Sequence, residues 1–113
     1  FCLITKTNMF KAAWASVPVG NLITQYGLTH GLGGAGHGLV ENGHFRMNAK
    51  LWDDVGRYIE NSPYFHLENV TTPTVIVSNE NDPMTRLENG IEMFLGMRRL
   101  EKKVWLLTYR GER

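Results

Sequence analysis

The last third of the chain, residues 72–113, constrains the fold more than any other stretch. It opens with a short run of apolar and β-branched residues, Thr74 to Val77, directly after Pro73. A run of this length and composition is typical of a strand that is buried on both faces of a parallel sheet. We therefore start the prediction of the fold from this strand.

A helix and a second strand follow the first strand. Four apolar residues recur at helical spacing with charged residues between them, which predicts a helix whose buried face is formed by Leu87, Ile91, Phe94 and Leu95. The apolar run from Val104 to Tyr109 predicts the second strand. A strand, helix and strand in this order form a right-handed crossover, so the two strands are expected to be parallel. Ligands of such sheets bind in the loops after the strands, and Asp82 lies in the first of these loops.

The length of the chain allows one domain at most. Its 113 residues could bury roughly 65% of the surface that the unfolded chain exposes. The sequence begins without an initiator methionine and ends one loop after an apolar strand. We expect it to be a piece of a larger domain.

Charge and cysteine content argue against several classes of function. The chain has 12 basic and 11 acidic residues and a net charge of +1, so neither a nucleic acid nor an anionic membrane is expected as a partner. Cys2 is the single cysteine, which excludes a disulfide framework and a thiolate metal site within these residues. No apolar run approaches the roughly 18 residues that a membrane span requires.

The first two thirds of the chain predict shorter elements. Residues 2–4 have the composition of a helix end, and residues 11–17 form a run of small residues that predicts a strand in a central position. A short helix is predicted over residues 19–26. Apolar spacing predicts another helix over residues 49–60, and residues 64–70 are expected to form a short helical turn or a loop.

Seven glycines between Gly27 and Gly43 predict a long irregular segment, because glycine disfavours both helix and strand. Within it, Gly31 to Gly36 matches the spacing of the G-x-G-x-x-G dinucleotide fingerprint. That fingerprint requires a preceding strand and a following helix N-terminus, and the flanking residues form neither well. A glycine-rich surface loop is therefore favoured, and no nucleotide cofactor is predicted.

The histidines do not predict a metal site. His30, His37 and His44 are spaced by seven residues, whereas zinc ligands usually occur in closer pairs. His66, between Phe65 and Leu67, is interpreted as a partly buried structural residue.

Asp82 has two interpretations from the residues alone. Asp82 followed by Pro83 suits a helix N-cap with proline at the first helical position. Alternatively, an aspartate just after a buried strand can orient a histidine that the loop after the next strand presents. The sequence pattern leaves both interpretations open.

Several segments together resemble the C-terminal catalytic domain of the prolyl oligopeptidase family of serine peptidases. They cover nearly the whole chain and are LITKTNMFKAA at residues 3–13, YIENSP at 58–63, VTTPTVI at 70–76, NEND at 79–82, GIEMF at 90–94 and VWLLTY at 104–109. The chain departs from the family pattern at Thr85 and Arg86, where relatives usually carry valine and proline.

The resemblance implies a partial α/β-hydrolase fold, a three-layer α/β/α arrangement with a mainly parallel sheet, of which residues 1–113 are the C-terminal part. It implies a triad in the chain order Ser, Asp, His, in which Asp82 is the acid. The serine elbow would precede Phe1, and the histidine would follow Arg113. The resemblance also implies a peptide substrate, no cofactor and an upstream β-propeller.

We therefore interpret the chain as part of a serine peptidase that is inactive as an isolated fragment. Two alternatives remain: an esterase or other hydrolase on the same fold, and a non-catalytic α/β-hydrolase-like domain that binds a ligand. Cleavage preference and oligomeric state are not indicated by the sequence.

Overall fold

The computed structural model describes residues 1–29 and 34–111. Its elements, in chain order, are α1 (Cys2–Lys6), β1 (Ala13–Ser16), α2 (Leu22–Gly27), α3 (Gly36–Glu41), α4 (Val55–Glu60), a 3₁₀ helix (Pro63–Asn69), β2 (Thr74–Asn79), α5 (Leu87–Arg99) and β3 (Val104–Tyr109). The predicted elements at residues 2–4, 19–26 and 64–70 are confirmed as α1, α2 and the 3₁₀ helix.

The three strands form one parallel sheet in the order β1-β2-β3. Thr74 of β2 is paired with Ala13 of β1 on one side and with Val104 of β3 on the other. The predicted parallel pairing of the last two strands is confirmed. Among the described strands β2 lies at the centre and β1 at one edge, so the central position of β1 in a larger sheet stays a prediction.

Helix α5 packs against β2 and β3 and supplies much of the core. Met93 and Met97 are completely buried, one helical turn apart, and contact the core around Ile76. The buried face therefore differs from the predicted one, and Leu95 is 58% exposed. Phe94 of the predicted face is half-buried and packs against the same core. Gly90 lacks a side chain, and the helix backbone lies close to Ser78 of β2 there.

The glycine-rich segment contains a helix that the sequence did not predict. Helix α3 begins at Gly36, whose amide donates to the carbonyl of Leu28 at 2.7 Å. A side chain at Gly36 would collide with the carbonyl oxygens of Gln25 and Leu28, so glycine is required there by the contact with α2. Val40 is fully buried in a second core with Leu22. Tertiary packing thus outweighs the low helix propensity of glycine.

The helix predicted over residues 49–60 is shorter than predicted. Asp54 accepts a hydrogen bond from the amide of Arg57 at 3.1 Å, so it caps α4 and the helix begins at Val55. The preceding residues form a turn instead. Tyr58 is fully buried, and its hydroxyl donates to the carbonyl of Ala49 at 2.6 Å. This bond holds the turn against the helix.

Candidate active site at the carboxyl edge of the sheet

The three parallel strands end at the same edge of the sheet, at Ser16, Asn79 and Tyr109. Backbone bonds continue the ladder one step beyond the strands. The amide of Val17 donates to Val77 at 2.7 Å, and the amide of Glu80 donates to Tyr109 at 3.0 Å. The three loops that follow the strands therefore start side by side, which is the arrangement that forms ligand sites in open parallel sheets.

Asp82 lies in the loop after the central strand, three residues beyond its end. Its Oδ1 accepts two backbone hydrogen bonds, from Met84 at 2.8 Å and from Thr85 at 2.7 Å. These are the bonds of an N-cap, but α5 begins only at Leu87, after Arg86, so the interpretation of Asp82 as the cap of that helix is wrong. Asp82 instead closes its own loop. Because both bonds end on Oδ1, Oδ2 is the oxygen that can accept from a further donor.

The loop after β3 is tied to the loop that carries Asp82. In addition to the bond from the Glu80 amide, the Nε of Arg110 lies 3.4 Å from Oε1 of Glu80. Gly111 then adopts a positive φ of 72°, a conformation that favours glycine and turns the chain. Glu112 and Arg113 lie outside the described residues, as does the position where a histidine is expected.

The loop after β1 begins with an unusual backbone conformation. Val17 has a φ of 45°, which is an outlier for a β-branched residue and costs on the order of 1–3 kcal/mol. Asn21 ends this loop by accepting from the amide of Ile23 at 3.0 Å, so it caps α2. Sequence reasoning missed Val17, since nothing in the sequence around a valine indicates a left-handed backbone.

A cavity of about 420 Å³ adjoins the Asp82 loop. Its walls come from the loop after β1, α2, α3, the segment after α3 and the Asp82 loop, and they are formed by Val19, Gln25, Leu39, His44, Phe45, Met84 and Thr85. Met84 and Thr85 are the residues whose amides bond Asp82. The sequence could not predict this cavity, because its lining comes from separate segments that meet only in the folded chain.

The cavity contains one buried carboxamide, that of Gln25. Gln25 and Asn89 are each 2% exposed, and Nδ2 of Asn89 donates to Oε1 of Gln25 at 3.0 Å. The bond links α2, which follows the first loop, to the first turn of α5, which follows the Asp82 loop. Two of the three loops at this edge are therefore joined by a buried hydrogen bond.

The family is decided by comparison with known proteins. The model of the prolyl oligopeptidase family matches residues 1–113, the whole chain. The chain belongs to the prolyl oligopeptidase family. Its parallel sheet is accordingly a portion of the α/β-hydrolase fold of that family, which confirms the resemblance stated from the sequence.

Individual members of the family are related at lower identity. The peptidase YuxL of Bacillus subtilis, itself uncharacterised, is 27% identical over 111 residues, covering 95% of this chain and 15% of YuxL. Among solved structures, an acylaminoacyl peptidase from Pyrococcus horikoshii matches with a TM-score of 0.79 at 19% identity, over 96% of this chain and 17% of that one. A puromycin-hydrolysing peptidase from Mycobacterium tuberculosis matches with a TM-score of 0.79 at 23% identity, over 96% and 16%.

The chain thus spans about a sixth of the length of these family members. Of the triad that the family resemblance implies, Asp82 is the one member expected within this sequence. Asp82 lies in the loop after β2, at the carboxyl edge of the sheet.

The histidines and glycines singled out in the sequence lie only partly within the described residues. His37 and His44 are both exposed, and His30 and Gly31 to Gly33 lie outside the described residues. Within residues 1–29 and 34–111, no group of three or more His, Cys, Asp or Glu side chains is placed to hold a metal. The same residues include no helix long and apolar enough to cross a membrane.

The structure also describes His66 and the last residues of the G-x-G-x-x-G fingerprint, Gly34 to Gly36. The fingerprint is preceded by helix α2 and not by a strand, so it lacks the context of a dinucleotide site. Nε2 of His66 lies 3.1 Å from the carbonyl oxygen of Glu60, which joins the 3₁₀ helix to the end of α4. The predicted structural role of His66 is consistent with this contact.

Two tyrosines of the second core, Tyr26 and Tyr58, have raised pKa values. The hydroxyl of Tyr26 donates to Oε1 of Glu41 at 2.6 Å, and this bond to the carboxylate raises the pKa of Tyr26 above its ordinary value of 10.0. Burial raises the pKa of Tyr58. Both phenols therefore keep their protons at neutral pH, and the bond from Tyr26 joins α2 to α3.

Proposed function

We propose that this chain is the C-terminal part of the catalytic domain of a serine peptidase, and that Asp82 is the acid of its Ser-Asp-His triad. The observation that carries the proposal is the position of Asp82. It lies in the loop after the central parallel strand of a prolyl oligopeptidase family chain, beside the loop after β3. The full-length protein would contribute the serine before Phe1 and the histidine after Arg113.

In the proposed reaction, Asp82 acts through the two oxygens of its carboxylate. The serine attacks the carbonyl of the scissile bond while the histidine accepts the hydroxyl proton and later donates it to the leaving amine. Asp82 accepts from the histidine Nδ1–H through Oδ2, which fixes the imidazole tautomer and stabilises the imidazolium. The two backbone bonds to Oδ1 hold the carboxylate in one orientation, so the histidine is aligned before the substrate binds.

The cavity beside the Asp82 loop supports a subsite for a substrate side chain. Its lining includes four apolar residues, Val19, Leu39, Phe45 and Met84, so an apolar or neutral side chain suits it better than a charged one. We propose short peptides as the substrate class. An upstream β-propeller in the full-length protein would restrict access to them.

The histidine is expected within about three residues after Arg113. Strands β2 and β3 are neighbours, so their following loops start about 4.8 Å apart. A side chain presented early in the second loop can reach Asp82, and the turn at Gly111 is placed to redirect the chain there.

The experiment uses the full-length protein with a serine-directed fluorophosphonate and with one acyl group presented both as a peptide amide and as an ester. We expect labelling of one serine upstream of Phe1 and cleavage of both substrates, with loss of labelling when the histidine after Arg113 is replaced by alanine. Cleavage of the ester alone would favour an esterase. Absence of labelling and of cleavage would favour a non-catalytic binding domain, and either result would contradict the proposal.

A further inference from the structure

The lining of the cavity next to the Asp82 loop includes a buried carboxamide, that of Gln25, and this suggests which side chains the cavity selects. This inference rests on the proposed function, because it concerns the substrate of that site. Most of the lining is apolar, and Gln25 is the fully buried polar side chain among the residues that form it. A buried carboxamide in an apolar wall is costly unless its hydrogen bonds are made.

A hydrogen bond from Asn89 fixes the orientation of the Gln25 carboxamide. Its Oε1 accepts from Nδ2 of Asn89 at 3.0 Å, and both side chains are 2% exposed, so neither rotates into solvent. The bond occupies the carbonyl oxygen. The carboxamide nitrogen carries two N–H donors, and in this inference an occupant of the cavity that Gln25 lines accepts from one of them.

We propose that Gln25, held by Asn89, is a specificity-determining residue that selects substrates whose side chain in this cavity is uncharged and ends in a hydrogen-bond acceptor. An apolar wall alone distinguishes side chains by size and does so weakly. A fixed donor adds discrimination, because a side chain without an acceptor leaves the N–H groups unbonded when it excludes water. A charged side chain would lose its hydration in the apolar cavity and is disfavoured.

The test compares two side chains of the same shape. One substrate carries –CH₂CH₂CH(CH₃)₂ at the residue before the scissile bond. The other carries –CH₂CH₂C(=O)CH₃, in which a carbonyl oxygen, a hydrogen-bond acceptor, takes the place of one methyl group. Each is offered to the full-length protein as a peptide amide and as an ester. We expect kcat/KM to be about tenfold higher for the ketone in both series, the effect of one net hydrogen bond.

Two variants remove the donor. Gln25→Met keeps the length of the side chain but leaves Asn89 without its partner, and the double variant Gln25→Met, Asn89→Leu removes both partners so that no amide is left unbonded. In each folded variant the ketone preference should fall to about one or below. Leu39→Met is the matched control, because it alters the same wall without touching the donor and should leave the preference near its parental value.

Each outcome decides the inference. Equal kcat/KM for the two side chains in the parent would overturn it, and so would a ketone preference that persists in the double variant. Cleavage of the esters without the amides would overturn the peptidase function, while the ester series still measures the selectivity. No cleavage in either series would overturn both.

Discussion

The hydroxyl of Tyr26 gives a residue-scale prediction that pH can test. Its bond to Glu41 raises the pKa of Tyr26, so above about pH 10 the folded protein keeps a proton that the unfolded chain has lost. The contribution of this bond to stability is therefore complete below about pH 10 and is lost as the pH rises through the raised pKa. The test is a pH titration of tyrosinate absorbance in the full-length protein and in its Tyr26→Phe variant. The difference between the two curves is the absorbance of Tyr26, and its midpoint should lie above pH 10.

Glu41→Gln is the control for that titration. It removes the carboxylate that is the largest cause of the shift, so the midpoint of Tyr26 should move back toward its ordinary value. A midpoint at or below 10 in the parent would mean that the hydrogen bond does not persist in solution.

At the same scale, the sequence predicted the position of Asp82 better than its local role. The triad interpretation of Asp82 depended on its place after a buried strand, and Asp82 lies three residues after the end of β2. The cap was misassigned because the bonds to Met84 and Thr85 close a loop that does not continue as a helix. Sequence patterns show which side chain can accept a bond, but not whether a helix follows.

At the scale of elements, Gly90 sets the contact between α5 and β2. A Cβ at this position would lie 2.9 Å from the Cβ of Ser78 and closer still to its hydroxyl. Gly90→Ala should therefore destabilise the full-length protein by about 1–3 kcal/mol, because the helix must move off the sheet. Thermal or denaturant unfolding of the catalytic domain measures this loss.

Gly38→Ala is the matched control, since Gly38 also lies in a helix but a Cβ there meets no atom within 4 Å. It should leave stability unchanged or raise it by up to about 1 kcal/mol. Equal effects of the two substitutions would show that the contact with Ser78 does not determine the change in stability, because helix propensity favours alanine at both positions.

The elements themselves divide into those that sequence could predict and those it could not. Strands β2 and β3 and helix α5 have strong local signals, and all three were predicted with their parallel arrangement. Helix α3 was missed, and so were the close contacts that Gly36 and Gly90 make with other elements. Such contacts cannot be recognised before the partners are known.

At the scale of the whole molecule, the outer strands predict how the isolated chain behaves. Within the described residues β1 and β3 each pair on one side only, and their exposed side chains include Trp14 at 65%, Trp105 at 54% and Tyr109 at 46%. Unpaired edges with exposed apolar residues promote association. We expect residues 1–113 produced alone to be inactive and to aggregate.

Analytical ultracentrifugation and a thermal melt test this expectation. A monomer that melts cooperatively would show that the chain is an autonomous domain and would contradict its interpretation as part of a larger one.

Only part of the candidate site could be predicted from the sequence. The parallel arrangement of β2 and β3 was predictable, and with it the edge at which Asp82 lies. Three other features could not be predicted, because each depends on segments far apart in the chain. They are the strain at Val17, the cavity, and the bond between Gln25 and Asn89.

The most direct test of Asp82 as the triad acid is kcat for Asp82→Asn in the full-length protein, measured with a peptide amide substrate. We expect kcat to fall by about 10⁴, since asparagine leaves the histidine in the wrong tautomer, while stability hardly changes because its Oδ1 still accepts the two loop bonds. Asp54→Asn, at an aspartate that caps α4, should leave kcat unchanged. Near-parental turnover in Asp82→Asn would contradict the account and limit Asp82 to closing its loop.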